Sequence, residues 1–298
     1  MVAAILIILV LFIVYLILIK PNNSSKERVG FLEGRNIARA GLYDNLSDHP
    51  ENSLPAFKIA IAANYAIETQ VRMSADGVLV LYADQNLLRL TDVSPNVEQM
   101  TWKDLSSLRI LNSDERIVTL EELLVLTDGS VPLLLDIRPD GHDPLEVVEC
   151  LKEMLSMYRG ACAVESVDTK VLVALRQVAP EIPRGLRASG PAQEGQSFVS
   201  GLLGNFLLSN IQTRPDFISY YFRKSKNFSL RLCRNTFRVI TVGWTIQSME
   251  DYRKVDRIFD GLVFEHITPS SQFVKGKVKS TVVSPPVRAQ SADRDENK

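Results

Sequence analysis

Beyond its first 35 residues the chain alternates short β-branched runs with stretches of helical periodicity. That alternation favours parallel strands joined by crossover helices. Strands are predicted at Asn36–Ala40, Ala66–Val71, Gly77–Tyr82, Val131–Ile137, Cys162–Glu165, Arg184–Arg187, Asp216–Tyr220, Arg238–Trp244 and Gly261–Glu265. Helices are predicted at Ser53–Asn64, Thr101–Arg109, Thr119–Thr127 and Pro144–Tyr158, where apolar residues recur at helical spacing. About eight strand–helix units make an α/β fold of the (β/α)₈ TIM-barrel kind. The 298 residues accommodate one such barrel, which commonly takes about 250.

The N-terminus stands apart. Residues 1–19 carry no charged side chain, and Lys20 closes the run. About 20 apolar residues cross the hydrocarbon core as a helix, so this run is long enough for a transmembrane anchor. A cleavable signal peptide needs basic residues before the run and a small-residue cleavage site after it, and Lys20-Pro21-Asn22-Asn23 supplies neither. Lys20, Lys26, Arg28 and Arg35 follow the run and no charge precedes it, which places the globular part in the cytoplasm by the positive-inside tendency. The expected organisation is an anchor over 1–20, a linker over 21–35, a barrel over 36–272 and a disordered tail over 273–298, rich in Lys, Ser, Pro, Asp and Glu.

A net charge of −1 offers nucleic acid no general attraction, and no nucleic-acid motif is present. Cys150, Cys162 and Cys233 are odd in number and widely spaced, the pattern of small core residues rather than of a disulfide framework or a metal site.

Several segments carry a resemblance. Residues 37–41 read Ile-Ala-Arg-Ala-Gly, followed by His-Pro-Glu-Asn-Ser at 49–53. Residues 76–84 read Asp-Gly-Val-Leu-Val-Leu-Tyr-Ala-Asp. Val131–Arg138 ends Leu-Asp-Ile-Arg, and Val164-Glu165-Ser166-Val167, Pro183-Arg184-Gly185-Leu186, Val242-Gly243-Trp244-Thr245-Ile246 and Asp260–Glu265 follow in order. The chain resembles the glycerophosphodiester phosphodiesterase family, with its I-A-H-R-G … P-E-N-T and D-G-x-x-V-x-x-H-D patterns. The resemblance implies a TIM barrel of the phospholipase-C-like phosphodiesterase type, and phosphoric diester hydrolysis in lipid metabolism. It also implies a divalent cation, Mg²⁺ or Ca²⁺, held by E-x-D and by the Glu of E-x-K.

The chemistry of the matching positions has changed. The family's catalytic histidines fall on Arg39, which stays protonated and cannot be a base, and on Ala83, which has no donor. The adjacent arginine is Ala40. Of the cation ligands the resemblance implies, Glu68 persists, Gln70 replaces an acid, and Asp136 replaces Glu with a side chain one methylene shorter. Two carboxylates and an amide oxygen form a weakened cation site. Glu51 and Asn52 persist in a segment that also starts a helix. His49 lies near that loop, while His142 and His266 have no partner pattern.

The resulting expectation is a barrel that has lost the usual catalysis and binds a phosphodiester or lipid headgroup. Arg39, Glu51, Arg138 and Trp244 are its expected binding residues, and Ser166, Tyr220 and Glu265 also fall at strand ends. Two other readings stay open: an active hydrolase using divergent residues, and a structural or interaction protein. Residues 198–211 are strongly apolar and read either as an amphipathic lid or as a core helix.

Overall fold

A computed structural model of the chain describes residues 1–22, 25–189 and 206–275. Its centre is a closed ring of parallel strands: β1 (Asn36–Arg39), β2 (Ala66–Met73), β5 (Leu133–Ile137), β6 (Cys162–Ser166), β7 (Arg184–Ala188), β8 (Phe217–Tyr221), β9 (Ile240–Ile246) and β10 (Gly261–Phe264). β1 pairs with both β10 and β2, which closes the sheet into the expected (β/α)₈ barrel. β3 (Leu79–Leu81) and β4 (Val118–Thr119) extend β2 antiparallel on the outside. They cover a small separate core of Val80, Tyr82, Leu87, Leu90, Leu105 and Ile117.

Helices pack outside the ring. They include α3 (Leu54–Ala62), α6 (Leu120–Thr127), α7 (Pro144–Ser156) and α8 (Thr169–Val178), after the short α4 (Leu88–Thr91) and α5 (Trp102–Leu105). α9 (Asn210–Thr213), α10 (Phe228–Thr236) and α11 (Met249–Val255) complete the outer layer among the described residues. Their starts are legible locally. Thr119 and Glu122 form a reciprocal capping box on α6, and Asp143 caps α7 ahead of Pro144. The helix predicted over Thr101–Arg109 is a single turn. The Ser106 and Ser107 hydroxyls donate to the carbonyls of Lys103 and Asp104, competing with helix propagation.

Alternate residues of each strand point into the barrel. Ile37, Ala66, Leu134, Ala163, Phe217, Val242 and Val263 make an apolar lower layer. Gly185 belongs to it because a Cβ there would lie 2.2 Å from the Phe217 ring. Residues 21–35, read as a linker, include α2 (Ser25–Val29) and a 3₁₀ turn over Gly30–Leu32. Val29 and Leu32 are fully buried against this layer and plug the barrel floor, each contributing roughly 1.5–3 kcal/mol by burial.

α1 (Val2–Ile19) is long and apolar enough to cross a membrane, and most of it stands clear of the protein. Its C-terminal end is docked: Ile19 is fully buried in the main core, and Tyr15 and Leu16 pack against it. Of the apolar stretch 198–211, residues 198–205 lie outside the described residues. Leu207 and Asn210 in the remainder are buried in the barrel wall. The tail beyond Lys275 also lies outside them.

Candidate phosphodiester site

Two residues above the apolar layer, the same strand faces carry charge. Register sets Arg39 beside Glu68, Gln70 beside Asp136, and Asp136 beside Glu165. Arg187 follows Gly185 by two residues on β7. The barrel thus holds a charged middle layer over an apolar floor, open at the C-terminal mouth where such barrels build their sites.

Arg187 lies at the centre of this layer and is nearly buried. Its Nη1 donates to Glu68 Oε1 at 3.1 Å and to Glu165 Oε1, and its Nε lies 3.6 Å from Asp136 Oδ2. Above, its guanidinium stacks 4.2 Å from the Trp244 ring centroid. Burial opposes its charge, but Asp136, Glu165 and Glu68 more than offset this and raise its pKa further. Glu165 shows the opposite balance: burial pushes its carboxyl up to about 7 despite Arg187. Burial likewise raises Glu68.

Two further guanidiniums rim the layer. Arg39 Nη1 donates to Glu265 Oε2 at 2.6 Å, and its Nε sits 3.9 Å from Glu68 Oε2. Glu265 also accepts from Gln247 at 2.6 Å and from the Tyr43 hydroxyl at 3.1 Å. Burial opposes ionisation of Glu265, but Arg39 and these donors hold its carboxyl below the usual range. Arg138 donates through Nη2 and Nε to Asp136 Oδ2 at 2.6 and 3.1 Å. Above them opens a cavity of about 430 Å³, lined by Arg39, Arg138, Arg187, Trp244, Tyr221 and Glu265 among others.

The structure therefore gathers Arg39, Arg138 and Trp244 around the cavity, with Glu68 and Asp136 beneath. Gln70 donates its amide to Glu68 Oε1 at 2.8 Å. Glu165 joins Glu68 and Asp136 in a buried carboxylate triad whose ligand atoms lie within 4.8 Å of one another. Glu51 lies apart from the cavity lining, paired with Arg89, and Asn52 accepts from Thr69 at 2.7 Å. The helix-capping role in that segment belongs to Ser53. Ser166 donates to the Ile137 carbonyl at 2.7 Å. Tyr220 faces the outer core while its neighbour Tyr221 faces the cavity, as strand alternation requires.

No histidine is among the residues lining the cavity. Ala83 is outside the lining too, and its carbonyl accepts from Arg72 Nη2 at 2.9 Å. His49 contacts Ser47 and Asp48, and His142 reaches the Met73 carbonyl at 3.1 Å. His266 is exposed and meets the Tyr43 hydroxyl at 3.3 Å.

Arg187 and Glu165 received no role from the sequence. Both occupy the inward positions of β7 and β6, two residues above Gly185 and Ala163 respectively, so strand period was the available signal.

Residues 45–267 match the Glycerophosphoryl diester phosphodiesterase family, a stretch that begins after Arg39. A Mycobacterium tuberculosis (strain H37Rv) protein named "Probable glycerophosphodiester phosphodiesterase 2" is 37% identical over 76 residues, 25% of this chain and 28% of that protein. The chain therefore matches about a quarter of the length of this curated relative. Among solved structures, an Oleispira antarctica phosphodiesterase in complex with its product sn-glycerol-3-phosphate superposes with a TM-score of 0.64 at 19% identity, over 78% of this chain and 93% of that one. A glycerophosphodiester phosphodiesterase from Thermotoga maritima gives 0.60 at 22% identity, over 77% and 93%. With three quarters of its length matched, the chain belongs to the glycerophosphoryl diester phosphodiesterase family.

Proposed function

We propose that this chain is a membrane-anchored family member that binds a phosphodiester or lipid headgroup at the barrel mouth without hydrolysing it. One observation carries the reading: the guanidinium of Arg187 lies among Glu68, Asp136 and Glu165. Those carboxylates have the composition of a divalent-cation site. With Arg187 in place they fit one poorly, because a guanidinium that cannot lose its proton already engages one oxygen of each carboxylate, and only Glu68 Oε2, Asp136 Oδ1 and Glu165 Oε2 accept no hydrogen bond among the described residues. Arg187 acts as a fixed cation there.

Hydrolysis also needs a base for the nucleophile and an acid for the leaving alkoxide, a role that suits imidazole near neutral pH. Arg39 and Ala83 supply neither, and no histidine lines the cavity. Binding is better served. Arg39, Arg138 and Arg187 offer planar donors for phosphate oxygens. Trp244 Nε1 and Arg39 Nε have no acceptor among the described residues. Tyr221, Phe222 and Trp244 form an apolar wall.

Anchoring rests on α1, and its flanking Lys20, Lys26, Arg28 and Arg35 favour a cytoplasmic barrel. The test uses the full chain in nanodiscs with glycerophosphocholine. Binding read by Trp244 emission is expected to persist in chelator, with hydrolysis indistinguishable from buffer across Mg²⁺, Ca²⁺ and Mn²⁺. A cation-dependent turnover abolished by Glu68→Gln overturns the reading in favour of an active hydrolase. Absence of both binding and turnover leaves an interaction protein.

A further inference from the structure

The docking of α1 fixes which way the barrel faces. α10 follows β8, so its first turn lies at the mouth and its last turn near the floor. Tyr15 meets Ser229, in the first turn of α10, with hydroxyl oxygens 2.6 Å apart. Four residues on, the Ile19 carbonyl accepts from Cys233 Sγ at 3.5 Å and from Asn210 Nδ2 at 2.7 Å. Asn22 then bonds Pro215 and Asp216, just before β8 begins at the floor, at 2.9 and 2.7 Å. α1 therefore descends from mouth to floor alongside α10, and residues 2–14 project beyond the mouth.

Those 13 residues extend about 20 Å at 1.5 Å per residue, and they are apolar from the point where they leave the barrel. No spacer separates the apolar helix from the barrel, since Tyr15 and Leu16 already pack on it. Any bilayer that takes up α1 must come down to the rim of the mouth.

The rim beside α1 is built for that contact. Between the end of β8 and Ser229 stand Arg223, Lys224, Lys226 and Phe228, all exposed, with Phe228 59% accessible. Basic side chains beside an exposed aromatic suit the headgroup layer of an anionic membrane. The same loop continues into the cavity, whose lining includes Phe222 and Arg223.

We infer that the mouth is pressed against the bilayer that holds α1, and that the phosphodiester it receives belongs to a lipid of that bilayer. The ligand half of this inference rests on the phosphodiester-binding reading above, while the orientation rests on α1 alone.

The experiment places the full chain in liposomes of phosphatidylcholine and phosphatidylglycerol carrying bromine on the acyl chains. Phe228→Trp adds a fluorophore at the rim, and Glu181→Trp adds one in the exposed turn ahead of β7, at the floor. The added emission of Phe228→Trp is expected to be quenched and that of Glu181→Trp spared. Lys224→Glu with Lys226→Glu is expected to weaken the rim quenching in anionic vesicles but not in pure phosphatidylcholine. Quenching of the floor probe, or of neither probe in membrane-inserted protein, overturns the orientation. Lys226→Trp serves as a second rim probe if Phe228→Trp misfolds. Soluble glycerophosphocholine binding to detergent-solubilised chain is measured separately. If it binds while the rim escapes quenching, the orientation falls and the phosphodiester reading stands. If the rim is quenched and nothing binds, the headgroup assignment falls and the orientation stands.

Discussion

Arg187 stacks on Trp244 at 4.2 Å on one side and donates to Glu68 at 3.1 Å on the other. One side chain thereby joins the aromatic wall of the cavity to the carboxylates beneath it. The charges of this layer are close to balance. Glu68, Asp136, Glu165 and Glu265 face Arg39, Arg138 and Arg187, and burial favours the protonated forms of Glu165 and Glu68.

Removing that guanidinium should uncover a metal site. Arg187→Met is expected to lose about 3–5 kcal/mol, the usual cost of leaving buried charges unpaired. Mn²⁺ should restore part of it, about 2.7 kcal/mol at a hundredfold excess over Kd. Thermal unfolding with and without Mn²⁺ checks this, and the unaltered chain should show no such shift. A Mn²⁺-dependent gain in the unaltered chain would mean that Arg187 leaves room for the ion.

The barrel was legible because each strand announces itself locally, by β-branched content between helical stretches. Glu68, Asp136, Arg138 and Trp244 were legible through the motifs around them. Arg187 was not: its partner Glu68 lies 119 residues away, and only ring closure brings β2, β5, β6 and β7 side by side. Tyr15 is likewise 214 residues from Ser229, so the run 1–19 gave its apolar length but not its seat on α10. The plug formed by Val29 and Leu32 was missed because a five-residue helix and one 3₁₀ turn have too little periodicity to distinguish them from a tether.

The floor should be intolerant of one methyl group. Gly185→Ala places a Cβ 2.2 Å from the Phe217 ring, and both lie in a packed interior. A loss of about 1–3 kcal/mol is expected, as for other overpacked cores. Phe217→Leu in the same chain should recover part of it, so the pair is non-additive in a double-mutant cycle by urea unfolding. Additive losses would show that the ring moves aside freely.

Stability should fall as pH rises from about 4.3 to about 7. Folded Glu165 keeps its proton up to about 7, held there by burial against the pull of Arg187, whereas an unfolded Glu releases it near 4.3. Between those values the folded state binds more protons, so unfolding free energy decreases with pH. Glu165→Gln retains an acceptor for Arg187 but cannot titrate. Urea midpoints at pH 5 and pH 7.5 should differ in the unaltered chain and lie closer together in the variant, where Glu68, also raised by burial, still contributes; an unchanged slope in the variant would assign the effect to other groups.

Returning the imidazoles alone should not return hydrolysis. Each general acid–base group typically supplies ~10²–10⁴ in rate, and groups that act as a unit do not contribute additively. Arg39→His with Ala83→His leaves Arg187 lodged among the three carboxylates, and it strips Glu265 of its Arg39 partner at 2.6 Å. Restoring the neighbouring arginine is obstructed as well. Ala40 is 1% exposed and has φ of 56°, a left-handed conformation in which a long side chain is strained. The double variant should therefore stay at background with glycerophosphocholine. Adding Arg187→Met and Gln70→Asp vacates the triad and supplies a further oxygen ligand, and weak Mg²⁺-dependent turnover is expected only then. Turnover by the double variant with Arg187 still in place would show that the guanidinium does not block this chemistry, and that loss of the histidines alone silences the site.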